Sequence, residues 1–216
     1  MLRLVLPKGS LEKATLELFE AADLAVSRNS SVDYKATIDD PRIAEVRILR
    51  PQEIPTYVAE GLFDLGITGR DWVEETSSDV VSLGELKYSK ATSLPIRVVV
   101  AVAGDSPAHT VDQLPQGLRV STEYPELTRR YFAARGVQAE CIKLNGGLEL
   151  APALGLCRRI VDLVSTGATL KAHGLVEVER IADVTSRLIV NRAALKMRPE
   201  DIGAWIDRMH GAANGG

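Results

Sequence analysis

Ile160-Val161-Asp162-Leu163-Val164-Ser165-Thr166-Gly167-Ala168-Thr169-Leu170 opens as a short, apolar, β-branched run and passes into small hydroxylated residues around one glycine. The first half has the composition of a buried strand. Leu170-Lys171-Ala172 can begin a helical turn, so the stretch reads strand, loop, helix. Such a loop aims backbone N–H groups and hydroxyls outward at a strand's carboxyl end, where a phosphate can be cradled by unpaired donors. A plain Ser/Thr-rich turn between two elements is the alternative, because small hydroxylated residues favour turns in any case.

Working outward, the same alternation recurs along the chain. Leu2 to Leu6, Val46 to Leu49, Leu62 to Thr68, Ile96 to Val102, Leu118 to Ser121 and Leu188 to Val190 are further strand candidates. Helical patterns occupy about 10–22, 51–60, 125–135, 148–157 and 199–209. Pro51 and Pro199 suit first helical positions, where a missing N–H costs nothing. Ile202, Trp205, Ile206 and Met209 share one face of the last helix, which predicts its packing on the body of the protein. Strands alternating with helices imply βαβ units, an α/β class and mainly parallel sheets. The run Pro95 to Val102 is long enough to leave one sheet for another, and Ser186 to Asn191 suits a return crossing. Two lobes around a cleft follow: residues 1–95 with 186–216, and residues 96–185 carrying the hydroxylated loop.

Composition narrows the function classes. The 216 residues are 45% apolar and 25% charged with net charge −3, as in an ordinary soluble protein, with no basic excess for nucleic acid or an anionic membrane. No run approaches the length of a membrane span, and Met1 to Lys8 lacks the build of a signal peptide. Cys141 and Cys157 have neither Cys-x-x-Cys spacing nor a nearby histidine, which fits a reducing cytoplasm and no zinc site. His109, His173 and His210 are dispersed, so no Ser-His-Asp set is suggested. Glu74-Glu75 reads as a solvated helix face.

Glu149, Gly155, Asp162, Thr166-Gly167 and Thr169-Leu170, taken with their spacing, resemble the signature of the ATP phosphoribosyltransferase family. The likeness extends over nearly the whole chain, through Leu6-Pro7-Lys8-Gly9, the segment Leu49 to Val58, the segment Asp64 to Asp71, Ser121 to Pro125 and Ser186 to Asn191. It implies a fold similar to the type II periplasmic-binding-protein-like class. The implied activity joins phosphoribosyl pyrophosphate to ATP in the first step of histidine biosynthesis. By the resemblance, Ser165, Thr166, Gly167, Ala168 and Thr169 bind the 5-phosphate of phosphoribosyl pyrophosphate, with Glu149 in the same site and Asp162 near the ribose. Lys8, Arg28 and Arg50 lie around the phosphates as catalytic candidates, and Arg50, Asp71 and Tyr124 serve ATP. Each has a bland counterpart: a solvated loop charge for Lys8 and Arg28, an ion pair for Arg50, a favourable first-turn acid for Asp71, a half-buried ring for Tyr124. Magnesium is expected, held mainly by substrate phosphates and not by a protein metal site.

The implied partners are a second copy of the chain and a regulatory subunit resembling histidyl-tRNA synthetase, since the sequence after Asn191 has room only for one helix and a tail in place of a histidine-binding domain. There are departures. Ser10 follows Gly9 where the family commonly has arginine, Cys157-Arg158-Arg159 replaces an Ala-Asp pattern, and Lys87 to Pro95 lacks the expected Gly-Phe-Gly and Cys-Arg pattern. A two-lobed solute receptor would share the outline, but the phosphate-type loop and the lack of a signal-like start favour the enzyme.

Overall fold

The computed structural model describes residues 1–86 and 96–214. The divergent stretch from Lys87 to Pro95 lies outside the described residues. In chain order the elements are β1 (Leu2–Pro7), α1 (Glu12–Ala21), β2 (Val26–Ser27), β3 (Lys35–Ile38), β4 (Ile43–Leu49), α2 (Ile54–Ala59), β5 (Leu65–Gly69), α3 (Arg70–Thr76) and β6 (Val80–Leu86). There follow β7 (Arg97–Ala103), β8 (Leu118–Thr122), α4 (Pro125–Ala133), β9 (Ala139–Lys143), β10 (Arg159–Val164), α5 (Ala168–Ala172) and β11 (Leu175–Asp183). The chain closes with β12 (Ser186–Asn191), α6 (Arg192–Met197) and α7 (Pro199–Asn214). Contacts divide it into two compact units, Met1–Ala91 with Thr185–Gly216, and Thr92–Val184.

In the first unit the strand order is β2-β3-β4-β1-β5-β12-β6. Leu2, Leu4 and Leu6 point to one face of the sheet, against Phe19 of α1 and Ile202, Trp205 and Met209 of α7. The expected apolar face of the last helix is therefore buried, with the Trp205 and Phe19 rings 5.5 Å apart. Val5 points the other way, to Ile54 and Val58 of α2. A strand covered on both faces has no polar alternation, which is why β1 reads as a continuous apolar run. Gly66 sits under α2, where an added Cβ would come within 2.9 Å of Ile54 and Val58. In the second unit the order is β11-β7-β10-β8-β9, with Val99, Ala101, Ile160 and Val164 covered by Leu148 and Ala151.

The α/β class stands, with a refinement to its pairing. Parallel pairs are confined to β4-β1-β5 and to β10-β8-β9, and antiparallel strands complete each sheet. In both units the chain pairs a new strand on one side of an inner strand and then crosses to the other side. From β1 it visits β4 and then β5; from β8 it visits β9 and then β10. Each reversal is a topological switch point, and ligands of open α/β sheets sit beyond the carboxyl ends of strands at such points.

Two helices differ from expectation. Residues 51–53 form a turn ahead of α2, closed by Glu53 N–H on the Arg50 carbonyl at 3.1 Å, while the Pro51 carbonyl accepts the Thr68 hydroxyl at 2.7 Å. Pro55, not Pro51, is the first-turn proline. The pattern at 148–157 yields only a 3-10 turn at Leu148–Leu150 followed by turns. Pro152 has no N–H to give to a helix, and Leu150, Leu154 and Leu156 stay 45%, 71% and 41% exposed, so no apolar face rewards helix formation.

One buried carboxylate ties the first unit together. Asp64, 2% exposed at the entry to β5, accepts the Arg3 backbone N–H at 2.8 Å, Arg3 Nη2 at 3.1 Å and Arg198 Nη2 at 2.9 Å. It thereby joins the start of β1 to the junction of α6 and α7. Burial pushes its carboxyl up, but the hydrogen bonds from Arg3 and the charges of Arg3 and Arg198 outweigh burial and hold it below the usual carboxylate range. The stabilisation is therefore present above the ordinary carboxylate pKa and lost as pH falls through the depressed value. Asp64→Asn is expected to lose about 3 kcal/mol at pH 7, and its difference from the parent should shrink in strong acid. Urea unfolding of both proteins at neutral and acid pH measures this, and equal stability at pH 7 would refute it.

Candidate functional site

At the carboxyl ends of β1, β4 and β5 the first unit gathers cations. Lys8 follows β1 directly, and its N–H bonds to the Leu49 carbonyl at 2.7 Å, fixing it beside the end of β4. Its Nζ lies 4.7 Å from the centre of the Tyr34 ring, a cation–π contact. Arg50, exposed just past β4, makes no side-chain hydrogen bond or ion pair among the described residues. The structural ion pair entertained for it is thus missing there. Arg28 is different: its guanidinium pairs through Nη2 with Glu12, whose other oxygen accepts the Gly9 N–H at 3.3 Å. Arg28 Nη1 is buried with no partner among the described residues. With Ser27, Asn29, Lys35 and Thr37 it lines a cavity of about 160 Å³, rich in donors. Asp71 lies in the first turn of α3 and is 4% exposed.

In the second unit the loop Ser165–Thr169 leaves the end of β10 as its sequence implies. Gly167 has φ 78°, a left-handed conformation. An added Cβ would meet only Val164 at 3.9 Å, so backbone conformation and not space reserves this position for glycine. The Thr166 hydroxyl accepts the Ala168 N–H at 3.2 Å and shapes the turn from within. The hydroxyls of Ser165 and Thr169 make no hydrogen bond among the described residues. Tyr124, at the end of β8, is 3% exposed, and its N–H bonds to the Thr122 hydroxyl at 2.9 Å.

Asp162 shares this region with Glu149, which stands in the 3-10 turn and not at the head of a helix as expected. Burial, with Glu149 and Glu123 adding like charge, pushes the Asp162 carboxyl up to about 6 although it accepts the Leu163 N–H at 2.7 Å. An acid kept uncomfortable in this way is characteristic of binding sites. Among the described residues no three His, Cys, Asp or Glu side chains come together as ligands for a metal ion.

The structure thus brings Glu149, Asp162 and Ser165–Thr169 together in the second unit, with Tyr124 at a neighbouring strand end, and places Lys8, Arg28, Arg50 and Asp71 on the first. Sequence reading missed Glu123, Lys35 and Arg97. Glu123 had a signal, the position between the end of an apolar strand and Pro125; Lys35 and Arg97 matter only through neighbours distant in sequence.

Fold and geometry define a two-unit α/β protein whose candidate residues stand in loops at the carboxyl ends of its parallel strands. The same fold is seen in the periplasmic aliphatic sulphonate-binding protein of Escherichia coli, with TM-score 0.59 at 17% identity over 98% of this chain and 68% of that one. Residues 50–211 match the family model for ATP phosphoribosyltransferase. A curated ATP phosphoribosyltransferase of Rhodospirillum rubrum is 46% identical over 98% of this chain and 92% of its own. The solved ATP phosphoribosyl transferase (HisG:HisZ) complex of Thermotoga maritima contains a chain matching at TM-score 0.83 and 26% identity, with full coverage of both. The chain belongs to the ATP phosphoribosyltransferase family, pentosyltransferases that open histidine biosynthesis.

The raised Asp162 has a sign that can be checked. Its folded value lies above its unfolded one, so its favourable contribution is complete below the ordinary carboxylate pKa and is lost as pH rises through about 6. Asp162→Asn should raise the melting temperature at pH 8, by about 2–4 °C for each kcal/mol relieved, and change it little at pH 4. A melting series against pH decides, and a variant less stable than the parent at pH 8 would remove the reading.

Proposed function

We propose that the second unit holds phosphoribosyl pyrophosphate, with Ser165, Thr166, Gly167, Ala168 and Thr169 receiving its 5-phosphate and Glu149 and Asp162 facing its ribose. The observation that carries this is the glycine-dependent loop at a switch-point strand end with two hydroxyls unengaged. On the first unit, Arg50 and Lys8 serve the phosphates of ATP or departing pyrophosphate, with Arg28 beside its cavity as a third cation. Asp71 and Tyr124 are assigned to the adenine nucleotide, and their burial gives them the part of shaping its surroundings.

Adenine N1 carries a lone pair, so its attack on the anomeric carbon needs no base to take a proton. The absence of any role for the histidines then costs the reaction nothing. What the residues supply is position and charge: cations lowering the energy of leaving pyrophosphate, and a fixed loop aligning the sugar. Mg²⁺, when bound, neutralises part of the pyrophosphate charge. Displacement at the anomeric carbon inverts it. A cytoplasmic setting is supported by Cys141 and Cys157 standing outside any disulfide among the described residues and by the substrates themselves.

The reading is tested by incubating the chain with ATP, phosphoribosyl pyrophosphate and Mg²⁺ and following phosphoribosyl-ATP. Gly167→Val, which forces a β-branched residue to positive φ, should abolish the heat of phosphoribosyl pyrophosphate binding while the protein still melts cooperatively. Unchanged heat would move the 5-phosphate elsewhere.

Control is assigned to a partner. The Thermotoga relative was solved as a HisG:HisZ complex, and this chain aligns over 92% of the Rhodospirillum protein, which fits the short form of the family. We assign the chain to a homodimer that joins a regulatory subunit resembling histidyl-tRNA synthetase. An effector shifts only equilibria in which it has a site. Initial rates of the 216-residue chain should therefore be independent of histidine and become sensitive when the regulatory subunit is added. Inhibition of the chain alone by low histidine would place the effector site within it.

A further inference from the structure

Arg97 opens β7, the strand that lies between β10 and β11. It is the one charged residue of an otherwise apolar strand, and each of its three guanidinium nitrogens donates to one of two neighbours. Nε and Nη2 fork onto the two oxygens of Glu177 in β11 at 3.0 and 2.6 Å. Nη1 reaches the carbonyl of Ser165 at 2.9 Å. The side chains of Arg97 and Glu177 are 20% and 32% exposed, so the fork is partly shielded from water. Pairing of β10 with β7 ends at Val164 opposite Arg97, and Ser165 is the first residue beyond it. Its carbonyl therefore has no strand partner, and the third arm of Arg97 captures it.

We propose that Arg97, held by Glu177, is a positioning residue that sets the backbone of Ser165–Thr169 in its phosphate-receiving shape. This rests on the assignment of that loop to the 5-phosphate. A planar guanidinium forked on a carboxylate has its plane fixed, so the remaining N–H is aimed without further loss of side-chain freedom. Anchoring the first carbonyl of the loop fixes the peptide that follows, and with it the direction of the N–H groups downstream. A loop ordered before binding spends less of its interaction with the ligand on being ordered. Direct attraction between Arg97 and the phosphate is the competing account, and Glu177 separates the two. If Arg97 acted by charge, neutralising Glu177 would release that charge and tighten binding. If it acts by position, neutralising Glu177 loosens the fork and weakens binding.

The experiment uses the full chain with Mg²⁺ and phosphoribosyl pyrophosphate as probe, in titration calorimetry and steady-state kinetics, for Arg97→Met, Arg97→Lys and Glu177→Gln. Arg97→Met should weaken phosphoribosyl pyrophosphate by roughly tenfold to a hundredfold, as loss of charge-assisted hydrogen bonds does, with KM for ATP unmoved. Glu177→Gln should weaken it in the same direction by less, and Arg97→Lys, which keeps charge and loses the fork, should not restore the parent value. Backbone amides of Ser165–Thr169 should exchange faster in all three. Should Arg97→Met fail to fold, Glu177→Gln and Arg97→Lys carry the same contrast. Unchanged binding in folded variants, or tighter binding in Glu177→Gln, overturns the inference. Gly167→Val is run alongside: normal binding there would show that the loop is not the phosphate site, and the clamp would fall with it, whereas loss there with intact Arg97 variants overturns the clamp alone.

Discussion

Parallel pairing of β1 with β4 and of β8 with β10 obliges the chain to cross the sheet between those strands, and each crossing returns the next loop to the same end. From this constraint the placement of the candidate residues follows in both units. Lys8 and Arg50 end neighbouring strands in one; Glu123 and Ser165 do so in the other. No single segment could collect these groups, because a loop's own residues are few and its backbone turns away within three or four of them. The antiparallel strands β3, β12, β7 and β11 then add what the inner strands cannot. Tyr34 at the head of β3 faces Lys8, and Arg97 on β7 reaches the loop after β10.

Electrostatics divide the two units by sign. The first presents Lys8 and Arg50 at its strand ends, and in the second burial, with like charge from Glu149 and Glu123 adding to it, raises Asp162 to about 6. Left alone, the acid cluster opposes its own ionisation. On the proposed placement of the ribose, its hydroxyl donors would relieve that opposition, and the cost of the unliganded state would become part of the preference for ligand. Asp64 is the counterexample within the same protein. It is more deeply buried in accessible surface, yet two arginines and a backbone N–H hold it ionised, and it therefore stabilises the fold and offers nothing to a ligand.

How far the sequence could be read depended on whether the deciding interaction was local. β1 and β7 are buried on both faces, so their apolar runs are unambiguous, and β10 buries Ile160, Val161 and Val164 while leaving Leu163 exposed. β3, β9 and β11 have exposed edges or faces, and Lys35-Ala36-Thr37-Ile38 or Leu175 to Asp183 shows too little apolar character to announce a strand. The leucines at 148–156 imitate a helix, but period alone does not show that there is nothing for them to bury against. The loop Ser165–Thr169 was legible because a hydroxylated glycine turn after a strand carries its chemistry in consecutive residues. The Arg97–Glu177 fork spans 80 residues and the Arg28–Glu12 pair spans 16, and neither has a local signature.

Ser10 bears on how much charge the first unit offers. Glu12 both caps the Gly9 N–H and pairs with Arg28, so that pair contributes little net field. Lys8, Lys35 and Arg50 have no ion pair among the described residues, and their charge is uncancelled locally. On the proposed assignment of this region to substrate phosphates, a further cation at position 10 would, at a separation of about 8 Å and an effective dielectric near 20, be worth on the order of 2 kcal/mol, which is roughly thirtyfold in rate. That alters how fast pyrophosphate leaves but not the kind of reaction. With a nucleophile that needs no deprotonation, no step depends on any single titrating group, and stabilisation of the leaving group is a sum over several cations. On the proposed assignment of Lys8, Arg28 and Arg50 to the phosphates, serine at position 10 leaves the same kind of chemistry with a smaller sum of cations.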